Sequence, residues 1–163
     1  MRPVVYSLLL AFMTPLALVA DEPRPAISGI TLERTGCYGP CPSYKVTVHS
    51  DGTVEYEGIK YVKEKGTRKG KITEAEFRTL ADKTEAIGFF KLKDLYDQEQ
   101  NPDGSITTVT DLPTRITTVT KDNHSRTVKN YFGGPKGLEE LEGLIDEVTK
   151  SSVWIVGQPP EKP

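Results

Sequence analysis

The sequence predicts an α+β domain, an antiparallel sheet of about four to six strands with two helices packed on one face. Three observations carry this reading. Alternating apolar runs flank Asp51-Gly52, apolar stripes recur at helical spacing around Phe77 and Leu141, and the order hairpin-then-helix occurs twice. The second occurrence makes the chain read as a degenerate two-fold hairpin-helix repeat.

The opening stretch MRPVVYSLLLAFMTPLALVA (residues 1–20) has a basic start at Arg2, a short apolar run and a small-residue exit, the layout of a signal peptide. Pro15 and the acidic Asp21-Glu22 argue against a spanning helix, so no transmembrane segment is expected in the mature chain. Residues 21–26 read as a polar leader, 27–156 as one domain, and 157–163 (GQPPEKP) as a disordered tail. Removing residues 1–20 from 163 leaves 143, with 20 basic and 23 acidic side chains and a net charge of −3. That balance and the lack of a basic stripe exclude nucleic acid as an expected partner. Export places the protein in the periplasm or outside the cell, an oxidising setting.

Ile27–Thr35 reads as a first strand, with Ile30 and Leu32 alternating against polar neighbours. Tyr44, Val46 and Val48, then Val54 and Tyr56, form a hairpin about Asp51-Gly52, for which a type I′ turn is expected. Ile59–Val62 and Lys69–Ile72 extend or add a strand. Thr73-Glu-Ala-Glu76 is a capping box opening a helix through Phe77, Leu80, Ala81, Thr84 and Ile87, closed by Gly88. A polar loop from Asp97 to Pro113 follows. Arg115–Thr120 and Ser125–Tyr131 form a second hairpin, and Leu138, Leu141, Leu144, Ile145 and Val148 a second helix.

The only cysteines, Cys37 and Cys41, lie in T-G-C-Y-G-P-C-P-S-Y. A thioredoxin-like redox pair needs a helix N-terminus after the cysteines, and here an alternating strand follows. The motif resembles the copper site of Sco-type chaperones, with Cys37, Cys41 and His124 (or His49) as soft-metal ligands. That resemblance covers a few residues and makes a periplasmic copper carrier the alternative function. The reading preferred is a structural disulfide, because Gly36, Gly39 and Pro40 bend the chain enough to bring the two Cα atoms to about 5.5–6 Å.

Over its length, the chain resembles a family of secreted bacterial proteins, domain of unknown function 6438. Gly36–Tyr44 (GCYGPCPSY), Asp51–Gly58 (DGTVEYEG), Thr110–Thr114 (TDLPT) and Val153–Ile155 (VWI) carry the likeness. It implies one secreted domain and no assigned activity.

No nucleophile elbow, zinc-protease helix or phosphate-cradling glycine loop occurs in the sequence. Glu99–Ile106 echoes half of a calcium loop but has Thr110 where the bidentate Glu belongs, so it reads as a polar loop. Glu139, Glu140 and Glu142 read as a solvated face. The expected function is therefore a non-enzymatic binding module without a cofactor, for a protein, peptide or cell-envelope partner. Tyr38, Tyr44 and Tyr56 are its candidate interaction surface.

Overall fold

The computed structural model describes residues 27–156. The expected signal peptide, leader and tail lie outside the described residues. In chain order the elements are strands β1 (Ile27–Arg34), β2 (Ser43–His49), β3 (Thr53–Lys60) and β4 (Gly66–Lys71), then helix α1 (Glu74–Ala86). A 3-10 turn at Phe89–Lys91 leads to β5 (Leu95–Asp97), β6 (Glu99–Gln100) and β7 (Ile106–Thr107). Strands β8 (Arg115–Lys121) and β9 (His124–Phe132), helix α2 (Lys136–Thr149) and the one-turn α3 (Ser152–Ile155) complete it.

The main sheet has seven strands in the order β4-β3-β2-β1-β8-β9-β5, more than the four to six expected. The excess is at its edges. Strand β4 is exposed along nearly its whole length and shows no apolar alternation, while β5 has three residues and pairs parallel to β9. Every other pairing in this sheet is antiparallel. Strands β6 and β7 form a separate two-stranded hairpin in the expected polar loop.

Alternation decides which face is buried. Ile30, Leu32, Val46, Val48, Val54, Val119 and Val128 are fully or almost fully buried and join Phe77, Leu80, Ala81, Leu138, Leu141 and Ile145 of the two helices in one cluster. Each large aliphatic side chain so buried contributes about 1.5–3 kcal/mol. The capping box forms as the sequence predicts. Thr73 Oγ1 accepts from the Glu76 N–H at 3.2 Å, and Glu76 Oε2 accepts from the Thr73 N–H at 2.7 Å.

The β2–β3 hairpin turns differently from expectation. A type I′ turn needs positive φ at both central residues, and that geometry belongs to Asp122 (50°) and Asn123 (63°) between β8 and β9. At Ser50-Asp51-Gly52 only Gly52 has positive φ (79°), and its N–H donates to the His49 carbonyl at 2.9 Å. This three-residue loop needs glycine twice over, since a Cβ on Gly52 would also lie 2.4 Å from the Ile72 carbonyl oxygen.

Candidate functional site

Helix α2 crosses the strands, and its polar contacts step across the sheet. Glu142 meets Thr117 and Arg115 of β8 and Asn130 of β9. One turn later, Asp146 meets Arg34 of β1 and Tyr44 of β2. Beyond the helix, Trp154 stacks on Tyr56 of β3 with ring centroids 4.9 Å apart, over Gly70 of β4. A helix rises about 6 Å in four residues, close to the strand spacing of about 4.8 Å, so successive turns reach successive strands.

Glu142 is 0% exposed, which corrects its reading as part of a solvated face; Glu139 and Glu140 do lie outside the core. Its spacing from Leu138, Leu141 and Ile145 places it on the apolar stripe, a signal present in the sequence. Arg115 Nε lies 3.1 Å and Asn130 Nδ2 3.0 Å from Glu142 Oε2. Burial pushes the Glu142 carboxyl up to about 7, against the pull of Arg115 and the Asn130 amide.

Asp146 is the second hub. Its Oδ2 accepts from Arg34 Nε at 2.8 Å, and its Oδ1 from the Tyr44 hydroxyl at 2.7 Å and Ser151 Oγ at 2.8 Å. Burial and the neighbouring Asp146 carboxylate both raise the Tyr44 phenol above its ordinary range. A shallow cavity of about 290 Å³ lies over this hub, lined by Tyr44, Asp146, Ser151, Ile155 and Val156 among others.

These two hubs flank the roots of the cysteine loop, which joins β1 to β2. Cys37 and Cys41 are joined in a disulfide with Cα atoms 5.6 Å apart. Thr35 fastens the loop to the residue before β8: its N–H donates to the Thr114 carbonyl, and its Oγ1 accepts from the Thr114 N–H, both at 2.9 Å. On the ring between the sulfurs, Tyr38 is 91% exposed. Closing five residues restricts the unfolded chain by only about 2 kcal/mol, an upper figure because Pro40 and Pro42 already stiffen it. Cys37→Ser with Cys41→Ser should therefore lower the urea unfolding free energy by about 2 kcal/mol or less, leaving the protein folded. A loss of the whole fold would show that the bridge supports more than its own loop.

Of the three tyrosines expected at the surface, only Tyr38 is there. Tyr44 and Tyr56 are 2% and 1% exposed, because they alternate in phase with Val46, Val48 and Val54 on the buried face. The copper reading is corrected as well. The sulfurs bond each other, and both histidines sit at the opposite end of the sheet. His124 pairs with Lys121 and His49 with Gly29, whereas the cysteine loop leaves the sheet where Arg34 pairs with Arg115. Six strand residues separate those ends, about 20 Å. Among the described residues no group of three or more His, Cys, Asp or Glu is placed to hold a metal ion. The calcium-like stretch is the β6–β7 hairpin, in which Asp103 Oδ1 accepts from the Ser105 N–H and hydroxyl at 2.9 and 2.6 Å.

The cysteine-loop end also carries most of the exposed apolar bulk. Of seven large exposed hydrophobics among the described residues, five lie on its connections. Tyr38 is on β1–β2, Tyr61 on β3–β4, and Ile106 and Leu112 between β5 and β8. Val156 follows α3, which holds the β3–β4 loop through Lys63 N–H to Ile155 O and Glu64 N–H to Trp154 O, both 2.9 Å. At the other end lie the polar turns Ser50–Gly52 and Asp122–Asn123.

The molecule is thus an α+β domain in which one buried and one partly buried polar hub flank a covalently closed loop at one end of the sheet. The chain belongs to the family described as domain of unknown function (DUF6438), whose model matches residues 28–149. The match stops short of Val153–Ile155, so the closing VWI motif lies beyond it. No curated protein matches the chain. Among the described residues no helix is long and apolar enough to cross a membrane.

Proposed function

We propose that this domain is a non-enzymatic binding module of the periplasm or extracellular space, which presents Tyr38 and its ring to a protein, peptide or cell-envelope partner. In this reading both helices cover one sheet face and the loops at the cysteine end make the contact. The observation that carries it is Tyr38, 91% exposed yet held between two bonded cysteines. A tyrosine on a prestiffened loop loses little conformational entropy on binding, and tyrosine is among the side chains that dominate interface energies. The exposed apolar residues Tyr61, Ile106 and Leu112, on connections at the same end of the sheet, supply surface for a wider footprint.

The test is capture of partners from envelope extract by wild type and Tyr38→Ala under non-reducing conditions. Truncating a central anchor costs about 2 kcal/mol or more, so recovery of the specific partner should drop by at least about tenfold, with the thermal midpoint unchanged. Identical partner sets at equal recovery would remove the loop from the interface.

A further inference from the structure

A run of basic side chains within residues 60–71 lies at one edge of the sheet. Lys60, Lys63, Lys65, Arg68, Lys69 and Lys71 all fall on the β3–β4 hairpin, against Glu55, Glu57 and Glu64, and β4 itself carries no acid. Strand β4 ends the sheet, and among the described residues nothing pairs with its outer side. The two edges differ. Strand β5 is short and its register slips between Tyr96 and Asp97, whereas β4 runs six residues in unbroken register without proline. Only basic side chains, Arg68, Lys69 and Lys71, guard β4.

The direction of its backbone groups follows from one bond. Ile72 N–H donates to the Gly52 carbonyl at 2.9 Å, so along β4 the groups of Gly70, Arg68 and Gly66 point at β3, and those of Lys71, Lys69 and Thr67 point outward. The Thr67 carbonyl is already bonded by the Arg68 guanidinium at 2.8 Å, leaving Lys69 and Lys71 to offer a free strand template.

Charge selects the occupant. On the exposed sheet face Lys69 sits opposite Glu55, and Glu57, Lys45 and Glu33 alternate in sign across three strands. A new strand with carboxylates beside Lys69 and Lys71 continues that alternation. A second copy of β4 would instead set lysine against lysine, which is unfavourable. We propose that β4 accepts an extended acidic peptide as an eighth strand, its main chain pairing with Lys69 and Lys71 and its carboxylates meeting their ammonium groups. This site is separate from the Tyr38 loop and stands or falls without it.

The experiment uses a fluorescein-labelled eight-residue peptide alternating glutamate and valine, and two versions N-methylated on one or the other set of alternate amides. Binding is read by fluorescence polarisation against wild type, Lys69→Pro, and Lys69→Glu with Lys71→Glu, with thermal melts confirming that each variant is folded. The parent peptide should bind wild type. One methylated version, Lys69→Pro and the charge-reversed pair should each weaken binding at least tenfold. Lys69→Pro removes an outward N–H and spares the β3 ladder. Should that variant unfold, the methylated peptides decide alone. No binding by the parent peptide overturns the proposal. So does equal binding of the parent and both methylated versions, or equally tight binding of polyphosphate, either of which would mark a charge-only surface. A wild-type dimer in sedimentation that dissociates in Lys69→Glu would give the edge to a second copy and overturn it too.

Discussion

Arg115→Ala should lower the unfolding free energy by about 3–5 kcal/mol at pH 8, and by distinctly less at pH 5. Among the described residues the guanidinium is the only cation within ion-pair distance of the fully buried Glu142, at 3.1 Å. Its second partner, Glu139, is half exposed and adds little. Without Arg115, a carboxylate would be left in the core with the amide of Asn130 as its main support. The pH dependence follows from the direction of the shift. The folded-state value of Glu142, about 7, lies above its ordinary 4.5, so protonation favours the fold. That contribution is fully present below about pH 4.5 and is lost as pH rises through about 7, on the order of 3 kcal/mol in wild type. Removing Arg115 raises the carboxyl further and extends the loss to higher pH. Glu142→Gln should flatten the profile between pH 5 and 8. Urea titrations of Arg115→Ala giving the same loss at both pH values would show that Glu142 is not the group left unpaired.

Asp146→Ala should cost about 3 kcal/mol, the second largest effect of a single side chain outside the apolar core. One carboxylate accepts from Arg34, Tyr44 and Ser151 at 2.7–2.8 Å, and truncation strands all three donors at a partly buried site. Replacing the ion pair by packed apolar groups, Arg34→Met with Asp146→Leu, should recover a large share of the loss, because no uncompensated charge remains. Tyr44→Phe removes one donor and should cost about 1 kcal/mol. Chemical denaturation of these three variants measures each loss directly. An Asp146→Ala protein as stable as wild type would show that solvent already satisfies Arg34 and Tyr44.

Local pattern made much of this fold legible. The β2–β3 and β8–β9 hairpins, the Thr73 capping box, the stop at Gly88 and both amphipathic helices come from spacings within about a dozen residues. The strand order does not, because no local signal tells β1 to pair with β8. Edge strand β4 was hard to read for a physical reason. It buries no side chain, so it has no apolar period. The burial of Tyr44 and Tyr56 was present in their phase with Val46 and Val54, and that of Glu142 in its place between Leu138 and Ile145. Residue chemistry outweighed phase in both readings. The disulfide was readable from the bend at Gly36–Pro40, whereas the hubs beside it join residues far apart in sequence.

The central position of β1 orders events in time. Arg34 pairs with Arg115, 81 positions later (115 − 34), so the sheet stays in two unjoined pieces until most of the polypeptide has emerged. Loop closure over such a span is slow compared with local hairpins. During that interval the apolar side of β1 is uncovered on its β8 flank, a window for capture by chaperones or for aggregation. The sulfur ring needs none of this. Its ends are four residues apart, so oxidation can precede docking of the two pieces.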